Sequence, residues 1–212
     1  SSRSRRYTTF CVRLTRAEKR EQTRSQLLDA ASRVFAEHGL DGATVDDVAA
    51  AAGFTKGAVY SHFGSKDELF LAMLEARYDA RMTELERLLA STRKHDDQAV
   101  MAARDFEAYV RADPGWQRLY LEGLLKASRD PVFRSAFARR HNEMHDRLAE
   151  ALAARLARDG LASPIDPGRL ATLISALASG VQLESFVARQ GDADDLFGTA
   201  IGLLAAVVGP GS

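Results

Sequence analysis

The chain has 212 residues, 46% apolar and 27% charged, the balance of a soluble globular protein with one large domain or two small ones. Its single cysteine, Cys11, excludes an intramolecular disulfide framework, and its longest apolar run, near residues 201–208, falls well short of the roughly 20 residues that span a bilayer. Net charge is zero but unevenly spread: eleven basic against seven acidic side chains through Lys66, and the reverse excess beyond it, the asymmetry of a chain whose basic end meets phosphate.

Residues 1–16 are Arg- and Ser-rich and aperiodic, so they read as a flexible basic arm; they hold no apolar block, so no secretory signal is expected and the cytoplasm is the expected compartment. A helix follows, with Leu27, Leu28, Ala31, Val34 and Phe35 in one apolar stripe and His38-Gly39 closing it. Thr44, with Asp47 three residues on, reads as a capping box opening a helix that buries Val45, Val48, Ala49 and Ala52. Gly53 stops that helix after two turns. Thr55 opens a second short helix, with Val59 and Phe63 one turn apart and Gly64 at its end, and Ser65 to Glu68 caps the next in the same way. Two short helices joined by a tight Gly-containing turn on a longer one predict a helix-turn-helix over 17–66.

At 100° per residue, Val59 and Phe63 facing inward leave Gly57 and Ser61 facing out. Lys56 and Tyr60 flank them on one side and His62 on the other. A surface small at its centre and polar at its edges lets backbone approach a groove while the longer side chains reach phosphates or base edges. Thr44, Thr55 and Lys66 lie at three helix N-termini, where free N–H groups favour phosphate. These eight residues are the candidate nucleic-acid contacts.

From Asp67 a long helix is expected to about residue 90, with Leu69, Phe70, Met73, Leu74, Tyr78, Leu85, Leu88 and Leu89 inward. Further helices are expected around 98–112, 116–127, 132–158, 168–189 and 193–208, broken at Asp113-Pro114-Gly115, Asp130-Pro131, Asp159-Gly160, residues 164–167 and Gly191-Asp192. No stretch alternates long enough to be a strand, so the expected fold is all-α, with a C-terminal helical bundle over 67–212. Phe106, Tyr109, Trp116, Tyr120, Phe133 and Phe137 read either as core or as the lining of a ligand cavity. His141 and His145, at i and i+4, have the spacing of a metal pair, but no third ligand is placed by sequence; a solvated helix face is favoured, and no metal or cofactor is expected.

Residues 170–183 and 196–212 carry no charge. Helices apolar nearly all round need burial on both sides, either at the centre of a monomer or against a second copy through Leu170, Leu173, Leu177, Val181, Ile201, Leu204 and Val208. No Ser/His/Asp triad, P-loop or dinucleotide turn is present, so an enzyme is not expected. A metal-dependent all-α enzyme and a non-specific architectural DNA-binding protein stand as rivals.

The stretch Ala30–Phe70, through Phe35, Gly39, Thr44, Val45, Val48, Ala49, Gly53, Gly57, Tyr60, His62, Phe63, Lys66 and Leu69-Phe70, closely resembles the DNA-binding domain of the tetracycline-repressor (TetR) family. It departs from many members at Ser61, where they carry a second aromatic. The resemblance covers about a fifth of the chain. It implies a homodimeric transcriptional repressor that binds double-stranded operator DNA, with a divergent helical C-terminal domain for a small-molecule inducer. Ligand binding is then expected to change the separation of two recognition helices through the long helix that begins near Lys66.

Overall fold

Thr15 opens the first helix through a reciprocal cap: its hydroxyl accepts from the Glu18 N–H at 3.2 Å, and the Glu18 carboxylate accepts the Thr15 N–H at 2.7 Å. Helix α1 therefore runs Arg16–Gly42, and Arg16, expected in the arm, lies in its first turn. The computed structural model describes residues 15–91, 101, 104–109, 113–187, 196–206 and 209–210; the rest of the basic arm lies outside them. Near its end α1 bends sharply at Gly39, whose φ of 74° and ψ of 170° suit glycine almost alone.

Three more helices follow: α2 (Val45–Ala52), α3 (Lys56–His62) and α4 (Lys66–Ala90). Residues 104–109 are helical (α5). Then come α6 (Pro114–Arg129), α7 (Pro131–Asp159), α8 (Pro167–Glu184) and α9 (Leu196–Ala206). The Asp-Pro pairs expected as breaks do fall between helices, and they also begin α6, α7 and α8. Asp113, Asp130 and Asp166 each cap with a carboxylate, and the proline that follows occupies the first turn, where its missing N–H costs nothing. Helix α8 stops at Glu184, short of the expected 189, and gives way to a turn over 185–187. Beyond the helices, Leu161–Ala162 pairs antiparallel with Gly209–Pro210, a two-residue ladder too short for any alternation to announce.

One core joins the turn motif to helices α4, α6 and α7. Phe70 of α4 meets Phe35 of α1 edge-on at 5.7 Å and Phe133 of α7 at 6.0 Å. Leu27, Val48, Val59 and Leu69 are buried in the same cluster as Trp116, Leu119 and Phe137. The apolar interior thus runs across the 66/67 position at which the sequence divides the chain. Leu71, Ala72 and Met82, absent from the expected inner face of α4, are buried too: α1 and α7 both pack on that helix, and Met82 lies with Leu148 of α7 and Ala171 of α8. Arg140 and Arg147 of α7 pair with Glu75, Asp79 and Glu86 along α4.

Candidate nucleic-acid interface and inner cavity

The turn motif is built from caps. The Thr44 hydroxyl accepts from the Asp47 N–H at 3.2 Å, and the Asp47 carboxylate accepts the Thr44 N–H at 2.9 Å, which holds that carboxyl below its usual range through the Thr44 hydroxyl and then its backbone. Gly53 ends α2 in the left-handed region (φ 72°, ψ 26°), as its place in the turn requires. The Thr55 hydroxyl then accepts from the Ala58 N–H at 3.2 Å, opening α3. Val59 and Phe63 are buried, while Lys56, Gly57, Tyr60 and Ser61 are exposed and His62 is half-buried, so the structure brings the predicted outward surface together.

Local chemistry refines that surface. A Cβ on Gly57 would meet only Thr55 Oγ1, at 3.9 Å, so nothing inside the chain requires glycine there. Lys56 Nζ lies 2.8 Å from the Asp46 carboxylate, with both side chains exposed. The Ser61 hydroxyl donates to the Ala58 carbonyl at 2.7 Å. His62 is held below the ordinary imidazole range by burial first, then by Arg20 and Arg24. Lys66 Nζ donates to the carbonyls of Asp41 and Ala43 at 3.2 and 3.1 Å, tying the end of α1 to the start of α4. The residue expected to touch phosphate is therefore also an internal clamp, with one of its three donors left over. The expected Ser65–Glu68 box is only half formed. Ser65 Oγ accepts the Glu68 N–H at 3.0 Å, but the Glu68 carboxylate takes the Gly64 N–H, at 2.7 Å, instead of that of Ser65. Gly64 has no left-handed backbone; a Cβ there would sit 2.9 Å from that carboxylate, which would have to shift.

Sequence reasoning missed the joint between the two halves. On α6, Arg118 donates to the Ala36 carbonyl, and the Glu122 carboxylate accepts the Leu40 N–H, both on the last turns of α1. A Cβ at Gly39 would lie 2.9 Å from that same carboxylate. One turn further, Lys126 pairs with Asp67 of α4 at 3.0 Å. The signal was present: Arg118, Glu122 and Lys126, four residues apart, are a charged stripe along one side of the helix.

The opposite side of α6 faces a cavity of about 240 Å³ enclosed by α4 to α9. Phe106, Tyr109, Trp116 and Tyr120 line it as expected. Phe133 and Phe137 do not; they are buried in the core beneath, where Gly123 lets the rings of Phe70 and Phe137 approach α6 closely. Met82, Leu148, Leu152 and Ile174 complete much of the wall, and its charged members are Arg81 and Arg155. The Arg77 guanidinium lies over the Trp116 ring at 4.4 Å and that of Arg81 over Tyr109 at 4.6 Å.

His141 also lines the cavity, its ring 4.2 Å from that of His145. This corrects the solvated face expected for the pair: His141 Nδ1 and His145 Nε2 are both buried without a hydrogen-bond partner. Burial, then His145, pushes His141 down to about 4, and burial lowers His145 as well. Among the described residues no group of three or more His, Cys, Asp or Glu is placed to hold a metal ion.

The expected intersubunit residues divide. Leu170 and Ile201 are buried inside the chain itself, because α8 and α9 turn those positions toward α7 and Phe106. Leu177, Val181 and Leu204 pack half-buried against Phe106 and Phe197. Leu173 is exposed, and Val208 lies outside the described residues. Ala176, Gly180, Gly202, Leu203 and Ala206 are exposed beside it, a largely apolar outer face that the sequence did not separate from the inner one. No helix among the described residues is long and apolar enough to cross a membrane.

The family described as bacterial regulatory proteins, tetR family, matches residues 27–73, and the BetI-type transcriptional repressor C-terminal family matches residues 106–197. The HTH-type transcriptional repressor AcnR of Corynebacterium glutamicum is 35% identical over 158 residues, spanning 73% of this chain and 72% of that protein. A TetR-family regulator from Mesorhizobium loti superposes with a TM-score of 0.73 at 20% identity, covering 92% of this chain and 100% of the other. The regulator FadR of Bacillus subtilis, solved in complex with stearoyl-CoA, superposes with a TM-score of 0.67 at 16% identity over 86% of this chain and 97% of its own.

Proposed function

The chain belongs to the tetR family of bacterial regulatory proteins, and on that premise we propose that it is a homodimeric cytoplasmic repressor released from its operator when a small molecule fills the cavity. One observation carries the reading. Helix α6 presents Trp116 and Tyr120 to the cavity and, on its other side, grips α1 of the turn motif through Arg118 and Glu122. A ligand wedged against the two aromatics pushes a helix already fastened to the DNA-binding end. FadR, with stearoyl-CoA bound, supports reading the cavity as a place for an organic ligand.

Thr44, Thr55, Lys56, Gly57, Tyr60, Ser61, His62 and Lys66 form the DNA surface in this reading. Gly57 gives the groove close access to α3, and Lys56 exchanges Asp46 for phosphate. Two copies must hold their α3 helices about 34 Å apart, one turn of DNA, or the half-sites fall out of register. A ligand that favours the wide-spaced state moves the population away from DNA, and operator must weaken ligand binding by the same factor that ligand weakens operator binding.

Calorimetry of ligand binding with and without operator tests this directly. Equal affinities in the two titrations rule the mechanism out. Competition by random DNA at fixed salt separates a repressor, with a specificity of about 10³ or more, from a non-specific architectural protein.

A further inference from the structure

Among the described residues the cavity wall includes no Asp or Glu, and its charged members are Arg81 and Arg155. The carboxylates that hold them, Asp105 at 2.7 Å from Arg81 and Asp159 at 2.5 Å from Arg155, are not part of the wall. An ammonium ligand is recognised by a carboxylate or by aromatic faces. Here the faces of Trp116 and Tyr109 are already covered by Arg77 and Arg81. At these two rings a cation entering the cavity meets guanidinium groups, and among the described wall residues it finds no carboxylate.

The wall also carries donors in search of an acceptor. Tyr78 of α4 and His141 of α7 lie with their rings 6.4 Å apart. The Tyr78 hydroxyl is buried against that of Tyr120, an exchangeable neighbour, and His141 Nδ1 is buried without a partner. Burial keeps the imidazole uncharged at neutral pH, so the ring offers one N–H. A buried polar group left unpaired is rare and costly, and His141 Nδ1, across from a hydroxyl on the facing helix, marks where a ligand's polar end belongs.

We propose that this cavity takes an apolar monocarboxylate, its carboxylate accepting from Tyr78 O–H and His141 N–H and its apolar body lying along Met82, Leu148 and Ile174. The proposal rests on reading the cavity as the ligand site. Two charge-assisted hydrogen bonds supply the preference for the acid, and the aliphatic wall of about 240 Å³ sets a body of medium chain length or one to two rings.

The test titrates decanoate, decanamide and decyltrimethylammonium, all below micellar concentration, into the full chain by calorimetry. Decanoate should bind at least about tenfold more tightly than decanamide, and the ammonium more weakly still. His141→Phe should bring acid and amide within about threefold of each other, and Tyr78→Phe, which keeps the ring, should lose a large part of the preference. The proposal is overturned if the ammonium binds as well as the acid, if acid and amide bind alike, if both variants keep the full preference, or if none of the three binds. Operator release by decanoate, followed by fluorescence anisotropy, is a separate readout. Tight decanoate binding with operator affinity unchanged defeats the regulatory reading and leaves the ligand class standing.

Discussion

Gly57 is the second residue of α3, a seven-residue helix, at a position where a Cβ would touch almost nothing in the chain. Glycine in a helix interior costs about 1 kcal/mol relative to alanine, and in this first turn less, with no internal contact to offset it. Gly57→Ala is therefore expected to raise stability by up to about that amount in urea denaturation while weakening operator binding about tenfold or more, since a methyl group holds α3 off the groove. Unchanged affinity in this more stable variant would remove α3 from the DNA surface. Lys66 behaves in the opposite way, because its ammonium serves both the chain and the phosphate. Lys66→Ala should lose about 1–2 kcal/mol of stability with its two carbonyl bonds and lower the salt slope of DNA binding by about 1. His141 adds a pH dependence whose sign is fixed by burial. Folded, it titrates at about 4; unfolded, near 6.5. The unfolded chain takes up the proton first, so stability present above about pH 6.5 is lost as pH falls toward 4, and His145 acts in the same direction. His141→Phe should lose less stability between pH 7 and pH 5 than the parent chain, measured by urea midpoints at the two values; equal losses would mean that the ring is not buried.

Among the elements, α6 joins cavity to turn motif, and its charged stripe is what makes the joint. Glu122→Ala leaves the Leu40 N–H without its acceptor, at a cost of about 1–3 kcal/mol, and loosens the end of α1 from α6, leaving Arg118 as the remaining tie. Ligand should then bind at nearly the parental affinity while releasing the operator several-fold less effectively, because the push on Trp116 and Tyr120 reaches α1 only through Arg118. Parental coupling in that variant would shift the burden of transmission to Arg118 and α4. The sequence made much of this architecture legible through local chemistry. Threonine, serine and aspartate caps, glycine stops and the stripe of Leu27, Val34 and Phe35 depend on neighbours a few residues away, and those helices lie close to where the pattern put them. What escaped depends on partners far along the chain. Phe133 and Phe137 face Phe70 and not the cavity because of a crossing between α4 and α7 that no periodicity encodes. Likewise Glu122 could not be read as a partner of Leu40, since 82 residues separate them. Leu170 and Leu173 belong to one apolar run, and only the placement of α7 beside α8 decides which is core and which is surface.

At the scale of the whole molecule, that same division decides how a second copy can be recognised. Helices α8 and α9 bury Leu170, Phe197 and Ile201 within the chain, yet leave Leu173, Ala176, Gly180, Gly202, Leu203 and Ala206 in solvent. Leucine 203 is 68% exposed and Leu173 46%, and a Cβ at Gly180 or Gly202 would meet nothing, so neither glycine is explained by packing inside one chain. Small residues on two adjacent helices permit close approach of the same two helices from another copy, an isologous four-helix contact. Leu203→Arg and Leu173→Arg place a charge on that face without disturbing the chain's own core. Each should yield a folded monomer in sedimentation, because burying an unpaired charge at an interface costs several kcal/mol. The monomer has one α3 in place of two at a fixed spacing, so it should lose most of its preference for operator over random DNA while keeping the helical spectrum of the parent. Phe197→Arg is the contrasting case: it puts the charge inside the cluster with Phe106 and Ile201 and should unfold the C-terminal helices, not merely separate two copies. Dimers that persist in both leucine variants would place the intersubunit contact elsewhere and leave the apolar outer face of α8 and α9 without a role in assembly.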